Sequence, residues 1–163
     1  MTKGARLAAF AVILAATAAQ AGELRGRVVA VTDGDTLTIL DAGRQHRIRL
    51  AGIDAPEKRQ PYGQRSKQSL SDLCYGQDAV IEDNGRDRYG RTIGRVWCAG
   101  IDANAEQVRR GMAWVIDRYS TDKGLNTIQD EAREARRGLW ADSSPIEPWV
   151  WRRRHEVEAR DPS

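Results

Sequence analysis

The stretch RGRVVAVTDGDTLTILDAGRQHRIRL, residues 25–50, decides the fold. A Val-rich run at 25–31 favours a β-strand, and Asp33-Gly34, which follows it, is a strong hairpin signal. Residues 36–40 and 45–50 then alternate between apolar and polar side chains, as strands with one buried face do. The stretch therefore predicts a three-stranded antiparallel meander.

Two more strands and three helices are expected beyond the meander. The sequence predicts a Pro-containing loop at 51–61, a helix at 64–73, strands at 79–82 and 91–98 on either side of a polar turn at 83–90, and helices at 102–111 and 122–137. Five strands with a helix inserted after the third indicate an α+β fold, a five-stranded OB-fold β-barrel with about three flanking α-helices.

The first 21 residues have the parts of a secretory signal peptide in the usual order. Lys3 and Arg6 precede a 13-residue apolar run at 7–19, and Ala19-Gln20-Ala21 is a small-x-small cleavage site. The run is shorter than the roughly 20 residues of a membrane span, and a buried or interfacial helix is the alternative. We expect a secreted or periplasmic protein with no membrane attachment after cleavage.

Cleavage would leave 142 residues, enough for one domain at 22–142 and a Pro-, Trp- and Arg-rich tail at 143–163 without clear periodicity. The chain has 26 Lys and Arg against 23 Asp and Glu, and the first 21 residues hold two of the bases and none of the acids, which leaves 24 against 23. Bulk charge therefore does not indicate a nucleic-acid partner. In the tail, Trp149 and Trp151 beside three arginines either grip a nucleic-acid strand or pack on the barrel with a solvated basic end.

The two cysteines, Cys74 and Cys98, favour one disulfide because export implies an oxidising compartment. Two buried free thiols are the alternative.

Acidic residues and arginines alternate around the ends of the meander. Asp35 begins the second strand, and Asp54 and Glu57 follow the third, so antiparallel strands would bring them to one end of the sheet. Oxygen ligands without His or Cys select Ca²⁺ or Mg²⁺. Arg49 and Arg91 are suited to stabilising charge on a phosphodiester near such a metal, because a guanidinium is always charged and can contact two oxygens. Taken singly, each residue could equally be a turn former or a surface ion pair.

The spacing of these residues resembles that of staphylococcal nuclease and its thermonuclease relatives. The matching blocks are VTDGDTL at 31–37, IRLAGIDAPE at 48–57 and DRYGR at 87–91, with weaker matches NAEQVRRG at 104–111 and RGLW at 137–140. The resemblance covers nearly the whole mature chain. It implies an OB barrel with flanking helices and Ca²⁺-dependent hydrolysis of DNA and RNA, with 3′-phosphate ends.

The resemblance also implies a role for each matched residue. Asp35, Asp54 and the backbone carbonyl of Ala55 correspond to the calcium ligands, with Ala55 where the family commonly has Thr. The remaining roles are general base for Glu57, phosphate-binding catalytic arginines for Arg49 and Arg91, and nucleotide contacts for Arg88, Tyr89 and Tyr119. Asp117 stands where the staphylococcal enzyme has a tyrosine.

We therefore expect a monomeric hydrolase, a thermonuclease-like endonuclease that prefers single-stranded or denatured DNA and also cleaves RNA. A catalytically inactive nucleic-acid-binding OB module is the first alternative, and its signature would be replacement of Glu57 or a catalytic arginine. A structural or adhesive barrel is the second, but it explains neither these residues nor their spacing.

Overall fold

A computed structural model describes residues 22–116 and 123–160. The strands are β1 Glu23–Asp33, β2 Thr36–Asp41, β3 Arg44–Leu50, β4 Ile53–Asp54, β5 Asp78–Arg86, β6 Thr92–Cys98, β7 Ile101–Asp102 and β8 Trp114–Val115. The helices are α1 Gly63–Cys74, α2 Ala103–Arg109, α3 Lys123–Glu134, a 3₁₀ turn at Gly138–Ala141 and α4 Pro148–Arg160. The signal peptide expected at 1–21 lies outside the described residues.

Five strands close into a barrel, which confirms the predicted OB-type α+β fold. β1 pairs with both β2 and β5 in antiparallel fashion, β2 with β3, and β5 with β6. A parallel pairing of β3 with β6, with Ile48 opposite Thr92 and Leu50 opposite Gly94, completes the ring. This closure matters for the site because it brings the chain near residue 91 to the end of β3.

Alternation along the strands fills the barrel with apolar side chains. The largest fully buried apolar side chains, from the strands and the helices packed on them, are Val28, Leu37, Ile39, Ile48, Leu50, Ile53, Leu70, Ile81, Val96 and Val108. Burying a side chain of this size stabilises the fold by about 1.5–3 kcal/mol. The two strands that carry the site, β2 and β3, are therefore firmly seated in the core.

The polar turn predicted at 83–90 is wrong in its first half, because β5 continues through Arg86, which pairs with Thr92. The ladder shifts register between Asp83 and Arg86, and Gly85 adopts a φ of 107° there. The end of β5 is exposed, so its polar side chains need no buried partners and the sequence shows no apolar alternation.

Cys74 and Cys98 form a disulfide, as predicted. Cys74 ends α1 and Cys98 ends β6, and both are fully buried. The bond ties the inserted helix to the barrel.

The tail was not expected to be regular, but much of it forms α4. Pro148 is the first helical residue, where its fixed φ suits a helix and its missing N–H costs nothing. Trp149 packs edge-on against Trp114, with ring centroids 6.0 Å apart, while Arg153 and Arg154 are exposed. Within the described residues, no helix is long and apolar enough to cross a membrane.

Candidate active site

The candidate active site lies at the end of the barrel where β2 begins and β3 ends. Thr36 at the start of β2 is paired with Arg49 of β3. The Leu50 amide donates to the Asp35 carbonyl at 2.8 Å. β4 follows β3 directly and ends on Asp54. Asp35, Arg49 and Asp54 are therefore neighbours because of strand register, as the antiparallel meander predicts.

Arg49 bridges the two aspartates. Its Nη1 forms an ion pair with Asp35, and its Nη2 lies 2.9 Å from Asp54 Oδ1. The aspartate side chains are only 4% and 3% exposed. Burial works against the charge on Arg49, but the two carboxylates outweigh it and hold the Arg49 pKa above its usual range. The guanidinium is thus fixed in position and permanently charged.

The Asp35 carboxylate is held by further hydrogen bonds. The Ala55 amide donates to its Oδ2 at 2.7 Å, and the Thr36 hydroxyl to its Oδ1 at 3.0 Å. Burial raises the pKa of Asp35, and Arg49 counteracts this only in part. Keeping this buried carboxylate ionised therefore costs free energy, and a nearby cation would offset that cost.

Gln107 of α2 supports the turn that carries Asp35. It is fully buried, and its Nε2 donates to the carbonyls of Gly34 at 2.6 Å and Ser66 at 3.1 Å. The turn is also tightly packed, since a Cβ added at Gly34 would lie 1.7 Å from Ser66 Oγ. This support fixes the backbone next to Asp35.

Arg91 is oriented by the turn before β6. Asp87 Oδ1 accepts the Tyr89 and Arg91 amides at 2.9 and 3.0 Å, and its Oδ2 accepts from Arg91 Nε at 2.7 Å. Partial burial alone would raise the pKa of Asp87, but its hydrogen bonds with Arg91 and the two amides outweigh this and lower it. Arg91 Nη1 reaches the Thr36 hydroxyl at 3.4 Å. Arg91 therefore stands beside the Asp35 side of the site.

Glu57 lies on the other side of Asp54, and an arginine from α4 joins the two acids. Arg152 Nη2 is 2.7 Å from Asp54 Oδ2, and its Nη1 is 2.6 Å from Glu57 Oε1 and 3.3 Å from Asp54 Oδ1. Burial disfavours the charge on Arg152, yet the hydrogen bonds that it donates to these carboxylates raise its pKa above the usual range. Glu57 is the accessible acid of the group, with 40% of its side chain exposed.

One cleft of about 380 Å³ collects these groups. Its lining consists of Asp33, Asp35, Arg49, Asp54, Ala55, Pro56, Glu57, Arg88, Tyr89, Arg91, Arg152 and Glu156. The guanidinium carbons of Arg88 and Arg91 lie 5.0 and 5.6 Å from the centre of the exposed Tyr89 ring. All sequence-predicted site residues in the described part of the chain thus line a single cleft. Tyr119 and Asp117 lie outside the described residues.

The donor set near Asp35 and Asp54 fits a hard cation. Two buried carboxylates and the adjoining Ala55 peptide offer oxygen alone, which Ca²⁺ and Mg²⁺ prefer. In the described part of the chain, no three His, Cys, Asp or Glu side chains are grouped closely enough to hold a metal. Two carboxylates, a carbonyl and water would complete such a site.

Sequence reasoning missed Arg152 and Glu156, which enter the cleft from α4. Their spacing from Trp149, at three and seven residues, places all three on one helix face. Together with Pro148 at the helix start, this spacing is a signal for a helix. This helix signal is weak because Trp149 is the one apolar residue of the three, and the other two are charged.

Comparison with known proteins agrees with this geometry. The family model of the staphylococcal nuclease homologues matches residues 47–142. An uncharacterised endonuclease of Escherichia coli O157:H7 is 46% identical over 133 residues, covering 81% of this chain and 87% of its own. Protein ParB of Escherichia coli is 41% identical over 157 residues, covering 90% and 88%. Micrococcal nuclease of Shigella flexneri is 40% identical over 159 residues, covering 91% of both chains. The chain therefore belongs to the family of staphylococcal nuclease homologues and is a hydrolase of phosphodiester bonds.

Proposed function

We propose that this chain is an exported, Ca²⁺-dependent nuclease. It hydrolyses DNA and RNA, prefers single-stranded or denatured DNA, leaves 3′-phosphate ends, and acts as a monomer in the periplasm or outside the cell. The observation that carries the proposal is the convergence of three carboxylates, Asp35, Asp54 and Glu57, with Arg49 and Arg91 around one cleft. The names of the Shigella and Escherichia coli relatives, a micrococcal nuclease and an endonuclease, support nucleic acid as the substrate class.

Two arginines are placed to bind the scissile phosphate. Arg49 is locked between the buried aspartates, and Arg91 is aimed by Asp87, so neither has to reorganise when charge develops on the phosphoryl oxygens. Since that charge grows as a nucleophile adds to phosphorus, both guanidinium groups bind the transition state more tightly than the ground state. A residue of this kind can contribute about 10³-fold or more to the rate of phosphoryl transfer.

Glu57 is the group best placed to activate water. It is the most exposed carboxylate of the three, and Arg152 contacts only its Oε1, so water can reach it, while Asp35 and Asp54 are buried. Glu57 orients the attacking water and accepts its proton as the oxygen adds to phosphorus. The bond between phosphorus and the 5′ oxygen then breaks, that oxygen takes a proton from solvent water, and the phosphate remains on the 3′ side. Asp35, Asp54 and the Ala55 carbonyl would hold Ca²⁺, which neutralises charge on a non-bridging phosphoryl oxygen when bound.

A cleavage assay tests this function. The protein recovered from the periplasm of an expressing bacterium is mixed with denatured DNA, duplex DNA or RNA, in Ca²⁺, Mg²⁺ or a chelator. We expect cleavage in Ca²⁺, fastest on denatured DNA, and none in chelator. Glu57→Gln should lower kcat by about 10²–10⁴-fold, and Arg91→Ala by about 10³-fold. Arg153→Ala is the matched control, because Arg153 is exposed.

The same preparation separates the alternatives. Binding of DNA without cleavage in any cation would identify the inactive binding module instead. Sensitivity of the product ends to a 3′-phosphatase checks the bond that breaks, and N-terminal sequencing beginning at Gly22 checks the expected signal cleavage.

A further inference from the structure

Arg152 reaches the cleft from the C-terminal helix, α4. Apart from Glu156 of the same helix, the cleft is built by the barrel and its loops. Arg152 is separated from Asp54 by 98 positions and from Glu57 by 95. Its guanidinium contacts both acids at once, with its shortest contacts at 2.6 and 2.7 Å. Both contacts are charge-assisted hydrogen bonds, which are shorter and stronger than neutral ones, and the Asp54 side chain that accepts one of them is buried.

The helix is anchored so that Arg152 has little freedom. Trp149 packs against Trp114 one turn before Arg152. Just ahead of the helix, the Ile146 carbonyl accepts from Gln60 Nε2 at 2.6 Å. The other end of the same Gln60 side chain, its Oε1, accepts the Glu57 amide at 3.0 Å. The approach to α4 and the loop of Glu57 are therefore joined to each other independently of Arg152.

The contact restricts an otherwise mobile side chain. Glu57 is 40% exposed, and an exposed glutamate samples several rotamers that folding does not restrict. Arg152 binds its Oε1 and leaves the second oxygen to face other partners. A reacting group has to be held within about 0.5 Å of its productive position, and supporting contacts of this kind do so.

Asp54 is shared between Arg152 and any bound cation. Its Oδ1 accepts from Arg49 at 2.9 Å and from Arg152 at 3.3 Å, and its Oδ2 from Arg152 at 2.7 Å. A cation that uses Asp54 must therefore compete with the positive charge of Arg152. The ion-paired group consists of three acids, Asp35, Asp54 and Glu57, and two arginines, Arg49 and Arg152, so its net charge is −1. A divalent cation together with one phosphodiester, which carries a charge of −1, would bring the total to zero.

We propose that Arg152 is a positioning residue of this active site, which orients Glu57 and shares Asp54 with the bound cation, so that helix α4 is part of the catalytic apparatus. The inference rests on the proposed nuclease function for its kinetic consequence, but its effect on cation binding does not depend on cleavage.

The test compares Arg152→Gln and Arg152→Lys with Arg153→Gln, an exposed neighbour on the same helix that undergoes the same change of charge. Calorimetric titration with Ca²⁺ alone gives the Kd, and saturating Ca²⁺ with denatured DNA gives kcat and KM separately. Arg152→Gln should tighten the Kd by about threefold, because a competing charge is removed. It should lower kcat by about 10–100-fold with little change in KM, as expected for a reacting group misplaced by about 1 Å.

Arg152→Lys keeps the charge but not the fork, so we expect the wild-type Kd and a kcat between those of the wild type and Arg152→Gln. This variant also keeps the test decisive if Arg152→Gln does not fold. Arg153→Gln should match the wild type in both measurements. Equal Kd and kcat in Arg152→Gln and the wild type would overturn the inference, and so would a rise in kcat, since Arg152 would then obstruct Glu57. Absence of cleavage by the wild type together with a tighter Kd in Arg152→Gln would overturn the nuclease function alone.

Discussion

The Cys74–Cys98 disulfide links residues 24 positions apart. Its reduction tests whether the bond stabilises the fold without affecting the activity of the cleft. A cross-link removes loop-closure entropy from the unfolded chain by about 2.1 + 1.5R ln n cal/mol/K, where n is the number of residues in the loop. For this loop the stabilisation is about 3.5 kcal/mol at 25 °C. Against a typical free energy of unfolding of about 5–15 kcal/mol, the reduced protein should remain folded but melt about 10–14 °C lower.

The cleft should not change, because the disulfide and Arg91 lie at opposite ends of one strand. Arg91 precedes β6 and Cys98 ends it, which separates them by about 23 Å of extended chain. We therefore expect kcat of the reduced protein, measured well below its melting temperature, to stay within about twofold of the oxidised value; only a change in the site itself would exceed that range.

Urea unfolding of one preparation, with and without dithiothreitol, measures directly how much free energy of unfolding is lost on reduction. Because no residue is substituted, the measurement is not affected by a cavity in the core. A Cys74→Ala, Cys98→Ala double variant is the control, since the reductant should not affect its stability. A loss below about 1 kcal/mol would refute the chain-entropy reasoning. A large fall in kcat at low temperature would refute the separation of the bond from the site.

Three further changes test the supports of the site. Gly63→Ala would place a Cβ 1.9 Å from the Glu57 carbonyl oxygen, so the loop of Glu57 must move; we expect a loss of about 1–3 kcal/mol in urea unfolding and a fall in kcat. Gln107→Leu leaves the buried Gly34 carbonyl, next to Asp35, without its hydrogen-bond donor; we expect a loss of about 1–3 kcal/mol in urea unfolding and weaker Ca²⁺ binding by calorimetry. Asp87→Asn addresses pH: the folded-state pKa of Asp87 is lowered, so its stabilisation is present above its ordinary pKa and is lost as pH falls through the lowered value. The stability difference between wild type and Asp87→Asn should therefore shrink as unfolding is measured from pH 5 to pH 3, and a constant difference would contradict the assigned hydrogen bonds to Arg91.

Local sequence was sufficient wherever neighbouring strands or short-range chemistry settle the outcome. Alternation at 36–40 and 45–50 predicted β2 and β3, and their antiparallel pairing predicted that Asp35 and Asp54 would lie at one end of the sheet, where both contact Arg49. The helix predicted at 102–111 is α2, and Asp102, where that prediction began, caps it by accepting the Ala105 amide.

Local sequence failed where the exposed face of an element carries no periodic signal. The polar end of β5 was predicted as a turn, because its ladder to β6 is set by the partner strand and not by its own side chains. Helix α4 was predicted as an irregular tail, because its buried side offers one tryptophan among charged residues.

By itself, the sequence determined the barrel strands, the pairing of Cys74 with Cys98, and an acidic and arginine-rich group at one end of the meander, because alternation, turn residues and cysteine number act over short distances or leave one choice. Only the tertiary structure decided that β3 pairs in parallel with β6, that Arg91 consequently stands beside Thr36, and that Arg152 enters the cleft to bind Asp54 and Glu57. The pairing of β3 with β6 joins residues 44 positions apart, such as Ile48 and Thr92, and the two side-chain contacts join residues 55 to 98 positions apart. They depend on barrel closure and helix docking, whose free energies are sums over many side chains and appear in no single segment.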